Sequence, residues 1–211
     1  MGSRASRPVE IQVTNNTETI NLRNPKTYFY SGRSLHDPHC LVPPCSSTVS
    51  KFTNRSIFWG CNGVLAFEAE TFTLAIFFSN PIDRNRFSVL TGLELSLDKV
   101  HKGDLRSAYR RMVRSSRPRA KKAKKAKSPP RSPVLPCAVL KENQNQRKVQ
   151  LSHGAVTVAA SLARSGGAAV IKVEVIERRN SGVASGLGLQ VEHDTPRRKE
   201  NVQGPCGNPR S

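Results

Sequence analysis

Acidic residues are scarce in this chain. Fifteen Asp and Glu stand against 34 Lys and Arg, a formal net charge of +19. That imbalance disfavours cationic partners and favours anionic ones: membrane surfaces, nucleic acid or acidic proteins. Aromatics make up only 6% of the 211 residues, and none lies beyond Tyr109. The last hundred residues therefore offer poor material for a packed core. No apolar run approaches the ~20 residues that a membrane-spanning helix needs. No N-terminal apolar segment has the form of a secretory signal. The expectation is a protein soluble as made, secreted or cytoplasmic, that meets a target membrane at its surface or after a later conformational change. The five cysteines, Cys40, Cys45, Cys61, Cys137 and Cys206, are odd in number and follow no zinc spacing. Free thiols are expected, and a Cys40–Cys45 disulfide stays open. No nucleophile elbow, metal-ligand pair or phosphate loop is present, so neither enzymatic chemistry nor a cofactor is expected.

What is present is concentrated in Thr71–Ser88, TFTLAIFFSNPIDRNRFS. Thr71–Phe78 is an uncharged run of β-branched and aromatic residues. Its length and its flanking turn formers suit a strand buried on both faces. Pro81 fixes φ and lacks a donor, so the strand must end or bend there. Asp83, Asn85 and Ser88 follow, interleaved with Ile82 and Phe87. A rigid strand thus delivers a polar loop carrying one ring, a common way to build a site. The plainer alternative is a core strand followed by a surface turn.

Elsewhere the pattern is also mainly β. Val9–Thr14 alternates with period two, as in a half-buried strand, and Asn15-Asn16-Thr17 is a turn signal. Ile20–Leu22 begins a second strand. Ser34–Ser47, rich in Pro, Ser, His and Cys, predicts a loop. There His36 and His39 flank Asp37, and the solvated-loop reading outweighs a metal site because such a loop fixes no ligand geometry. Val49–Trp59 predicts a strand, Gly60-Cys61-Asn62-Gly63 a turn, and Val64–Glu68 and Leu93–Leu97 further strands. Asp104 is a helix start signal ahead of Leu105, Ala108, Tyr109 and Met112 at helical spacing. Arg114–Arg131, RSSRPRAKKAKKAKSPPR, is a basic low-complexity run without an acidic residue. It resembles the tails of linker histones, and such a block is expected to be disordered. Val156–Val175 is Ala/Val/Gly-rich and able to pair as strands.

Three segments carry a family resemblance. They are Phe78, Ser79, Pro81, Asp83, Asn85, Phe87 and Ser88; the run Asn24-Pro25-Lys26-Thr27-Tyr28-Phe29-Tyr30-Ser31-Gly32; and Gly60, Gly63, Val64, Leu65, Ala66 and Phe67. In this order they resemble the actinoporins, pore-forming cytolysins. The resemblance spans Val9 to about Val113 and includes a short helix in which Tyr109 and Met112 match. It implies a β-sandwich with a flanking helix, here incomplete. The division expected is a disordered N-terminus at 1–8, a partial sandwich at 9–113, and at 114–211 a basic tail that does not complete the sandwich.

The resemblance also implies a pocket for a phosphocholine headgroup, drawing on Ser31, Asn62, Ser79, Pro81, Phe87, Tyr109 and Val113. Ser31 and Ser79 keep hydroxyls for phosphate, and Phe87 and Tyr109 keep aromatic faces for choline. Asn62 replaces a small apolar residue, Phe87 a tyrosine and Val113 another tyrosine, so weakened binding is expected. Membrane contact falls to Arg86, Phe87 and Leu90, with Arg86 and Leu90 in place of aromatics. The partners implied are phosphatidylcholine and sphingomyelin, with a homo-oligomer on the membrane. The family's cation-conducting pore needs a detachable N-terminal helix. Eight residues precede Val9, spanning ~12 Å against a hydrocarbon core of ~30 Å, so pore formation is expected to be impaired. The alternative, from a different class, is a nuclear or nucleic-acid-binding protein acting through residues 114–131, although no nucleic-acid-binding fold is visible.

Overall fold

The computed structural model describes residues 6–56, 58–97, 104–116, 136–142 and 148–178. In chain order the strands are β1 (Val9–Asn16), β2 (Leu22–Ser31), β3 (Arg33–His36), β4 (Leu41–Val42), β5 (Ser46–Thr53), β6 (Cys61–Glu68), β7 (Thr73–Asn80) and β8 (Leu90–Ser96). The helix α1 (Leu105–Ser115) follows, then β9 (Cys137–Lys141), β10 (Lys148–His153), β11 (Val156–Ser165) and β12 (Ala168–Glu177). They form two six-stranded sheets, one ordered β10-β11-β12-β1-β5-β3 and the other β4-β2-β6-β7-β8-β9. The architecture is mainly β, a sandwich with one short helix.

The main core lies between the sheets. Val9, Ile11 and Val13 of β1 meet Leu65, Phe67, Ile76 and Phe78 of the facing sheet, all buried. The period-two pattern of β1 appears directly in its alternation of buried and half-buried positions. The unbroken apolar run of β7 has a different cause. Leu74, Ile76 and Phe78 face the main core, while Ala75 and Phe77 face a second cluster under α1, with Val64, Ala66, Ala108 and Met112. A strand covered on both faces cannot alternate.

Asp104 caps α1, its carboxylate accepting from the Arg106 backbone N–H at 3.0 Å. Arg111 then fastens the helix to the sheet, donating from Nε at 2.8 Å and Nη2 at 2.6 Å to the carboxylate of Glu94, a fully buried residue of β8. The two-pronged geometry fixes the rotation of α1, and with it the aim of Tyr109.

Several expectations are corrected. The sandwich does not stop at Val113. β12 pairs in parallel with β1, Val9 opposite Ala169 and Val13 opposite Val173, and β9 pairs with β8. The segment expected to leave the sandwich unfinished supplies three strands of one sheet and an edge of the other. Its core side chains are Val, Ile, Leu and Ala instead of rings. Residues 117–135 and 179–211 lie outside the described residues, and so does most of the basic run expected to be a disordered, nucleic-acid-binding tail. Residues 1–5 of the N-terminal segment lie outside them too.

The loop at Ser34–Ser47 contains the short strands β3 and β4. Cys61–Gly63 belong to β6 and do not form a turn. Glycine is required at 63 because a Cβ would lie 2.3 Å from the Tyr28 carbonyl oxygen and 2.7 Å from the Phe78 ring. β5 ends at Thr53, where the Asn54 side chain accepts from the Arg7 N–H and donates to the Ser56 carbonyl, so Phe58 and Trp59 sit in the loop before β6. Cys40, Cys45, Cys61 and Cys137 are free thiols. Among the described residues no helix is long and apolar enough to cross a membrane, and no three His, Cys, Asp or Glu side chains are placed to hold a metal ion.

Candidate functional site

Strand register brings the site together. Ser31 of β2 lies opposite Asn62 of β6, Asn62 opposite Ser79 of β7, Ser79 opposite Leu90 of β8, and Leu90 opposite Lys141 of β9. Residues directly opposite on neighbouring strands project from the same face. These five therefore form one row across the sheet, polar except at Leu90, on the side that carries α1. Beside the row lies a cavity of about 510 Å³.

Asn62, Ser79, Pro81, Phe87, Tyr109 and Val113 all line this cavity, as do Arg86 and Leu90. Ser31 does not. The β2–β6 register shifts between Phe29 and Ser31, and Ser31 lines an adjoining cavity that shares Tyr30 and Trp59 with the first. Arg86 and Phe87 are exposed at the mouth. Leu90 is half-buried and packs with Val113 and Tyr109 against the cluster under α1.

Tyr109 is the centre of the aromatic wall. It stacks on Tyr30 with centroids 5.2 Å apart and planes 10° apart. It tilts against Tyr28 at 5.8 Å and stands edge-on to Phe77 at 5.6 Å. Burial, helped by Tyr30 and Tyr28, pushes the Tyr109 phenol up to about 12. The ring is therefore neutral at physiological pH, which leaves its face available to a cation.

The polar wall differs from a simple pair of hydroxyls. Ser79 donates its one hydroxyl hydrogen to Asn62 Oδ1 at 2.7 Å. A hydroxyl has one donor, so Ser79 can only accept from a ligand while this bond holds. The Asn62 amide hydrogens are the donors of that pair.

The loop after β7 is held from below. Fully buried Asn80 donates from Nδ2 to the Pro8 carbonyl at 2.7 Å and to the Gly167 carbonyl at 3.1 Å. Arg84 bonds Asn80 Oδ1 at 2.9 Å and the Gly167 carbonyl at 2.6 Å. Asp83 folds the loop tip, accepting from the Asn85 and Arg86 N–H groups at 3.0 and 3.2 Å. Pro81, Asp83 and Arg84 thus set the backbone that presents Phe87, which is 62% exposed.

The cavity is also lined by residues outside the expected site, among them Tyr30, Phe58, Trp59 and Lys141. Period two along β2 would have put Tyr30 on the face of Tyr28. Phe58 and Trp59 fall within the strand expected at Val49–Trp59, and the polar triplet Asn54-Arg55-Ser56 is the signal that it ends earlier. Lys141 had no local signal, because only the β8–β9 register reveals it. Tyr30, Phe58, Trp59 and Phe87 are the exposed aromatics of the described residues, and all four lie on this one cavity.

No family model matches the chain, and no curated protein matches it. Among solved structures the chain is similar to the lipid-binding protein Nakanori, with 13% identical residues and a TM-score of 0.57 over 81% of this chain and 71% of that one. At that identity the likeness is one of fold.

Proposed function

We propose that this protein binds membrane phospholipid, taking a phosphocholine headgroup into the cavity beneath α1. The observation that carries the reading is the gathering of every exposed ring at one cavity mouth. Exposed rings scattered singly need no explanation, but a contiguous group marks a contact surface. Rings with one wet edge favour the bilayer interface. Phe58, Trp59 and Phe87, between 60 and 78% exposed, enter the interface, while the Tyr30–Tyr109 stack takes the quaternary ammonium. The similarity to a protein described as lipid-binding, and the resemblance to actinoporins, support the same reading. Phosphatidylcholine and sphingomyelin are the headgroup sources it names. Self-association on the membrane and cation conduction are further steps implied by the resemblance, and headgroup binding needs neither.

Vesicle flotation tests this. At about 0.5 M salt, where the Debye length is roughly 4 Å and the +19 charge is screened, the protein is expected to float with phosphatidylcholine or sphingomyelin vesicles. It should not float with phosphatidylethanolamine. The triple variant Phe58→Ala, Trp59→Ala, Phe87→Ala removes about 1 kcal/mol of interfacial burial per ring, so binding should fall about 100-fold. All three side chains are exposed, so the melting temperature should not move. A triple variant that floats like the wild type would defeat the reading.

A further inference from the structure

The polar row ends in a cation that the headgroup reading has not used. Lys141 closes the row in register with Leu90, and it lines the same cavity as Ser79, Asn62 and Tyr109. Its side chain makes no hydrogen bond or ion pair among the described residues. The neighbouring carboxylates are engaged elsewhere. Glu142 pairs with Arg164 at 2.9 Å, and Asp83 holds its own loop and faces Arg86 at 3.5 Å. Asp83 lines the same cavity but is paired with Arg86, so a half-buried lysine there, with no ion pair among the described residues, is a site for an anion.

The row also explains why Ser79 does not suffice. Its hydrogen is given to Asn62, so a phosphate oxygen arriving there finds the Asn62 amide as a donor but no free hydroxyl hydrogen. Lys141 stands two strand spacings from Ser79, roughly 9.6 Å along the sheet, with only the apolar Leu90 between them. A phosphate lying over Leu90 is within reach of the long Lys141 side chain on one side and meets Ser79 on the other, with Asn62 one strand further on. Tyr30 belongs to β2, at the opposite end of the row, and Tyr109, stacked on it, reaches across to Phe77 of β7.

We infer that Lys141 is the phosphate-binding residue of this cavity, and that the ligand lies along the row with its phosphate toward β9 and its ammonium toward the tyrosines. This rests on the headgroup reading for the ammonium end. The phosphate chemistry is shared by a lipid headgroup and by free phosphate. Its consequence is that recognition depends on β9, a strand beyond the part of the chain that carries the family resemblance.

The test uses the full chain, wild type and Lys141→Gln, titrated with phosphocholine, choline and inorganic phosphate. Lys141→Arg serves as the conservative variant, and melting curves confirm that all three fold. A hydrogen bond to a charged group separates phosphocholine from choline by about 10-fold or more in the wild type. Lys141→Gln is expected to bring the two ligands within about 3-fold by weakening phosphocholine alone, and Lys141→Arg to restore most of the difference. An unchanged ratio in a folded Lys141→Gln overturns this assignment and leaves the headgroup reading standing. Inorganic phosphate bound as tightly as phosphocholine, with Lys141 required and vesicles unbound, keeps Lys141 in its role and overturns the headgroup reading. A wild type that binds none of the three overturns both.

Discussion

A chain cut after Val113 is expected to be unfolded. The cut removes β9 to β12. Those strands contribute ten of the 28 buried residues of the main core, from Leu140 to Val175. Burying one large aliphatic side chain contributes about 1.5–3 kcal/mol, so the loss exceeds the roughly 5–15 kcal/mol that holds a typical domain together. It also strips β1 of its parallel partner and β8 of its edge partner, exposing two rows of unpaired backbone groups. The loop after β7 loses its anchor as well, because Asn80 and Arg84 both bond the Gly167 carbonyl. Amide chemical-shift dispersion and a cooperative thermal transition are the readouts. A truncated chain that keeps both would show that the C-terminal strands are an appendage, against the pairing described.

The second large effect is expected from Tyr109→Ala. The substitution removes a ring that touches Tyr28, Tyr30 and Phe77, on a helix whose rotation is fixed by the Arg111–Glu94 pair. Truncating a large core ring costs about 3–5 kcal/mol. Tyr109 is half-buried, so about 2–3 kcal/mol is expected, a fall in melting temperature of roughly 5–10 °C. The cavity also loses one half of its stacked pair, and each cation–π contact contributes about 0.5–2 kcal/mol, so phosphocholine binding should weaken at least about 10-fold. Tyr109→Phe keeps every ring contact and should restore both properties. A folded Tyr109→Ala that binds phosphocholine like the wild type would remove the aromatic wall from the mechanism.

Much of the fold was legible, and the reasons are specific. β1 showed itself by alternation because only one of its faces meets the core. β7 showed itself by an unbroken apolar run because α1 covers its second face. The helix was marked by Asp104, whose carboxylate does cap it. The strands at 156–175 were visible as strands, but their place was not. Nothing local encodes a parallel pairing between Val9 and Ala169, and a segment without aromatics still supplies core through Val, Ile, Leu and Ala. The residues of the candidate site entered through resemblance, and the register of the sheet then explains why they lie together. Lys141 lay beyond both routes. Gly63 has the composition of a turn residue, whereas its missing Cβ makes room for the Tyr28 carbonyl and the Phe78 ring.

Trp59 is the only tryptophan in the chain, and it stands at the mouth of the cavity, 60% exposed. Its fluorescence therefore reports on that surface alone. Adding phosphatidylcholine vesicles to the full-length protein should shift its emission to shorter wavelength and shield it from a water-soluble quencher, and soluble phosphocholine in excess should reverse both changes. If Trp59 stays fully quenchable while the protein co-floats with the vesicles, the membrane is met by some other surface, and the cavity is not the lipid site.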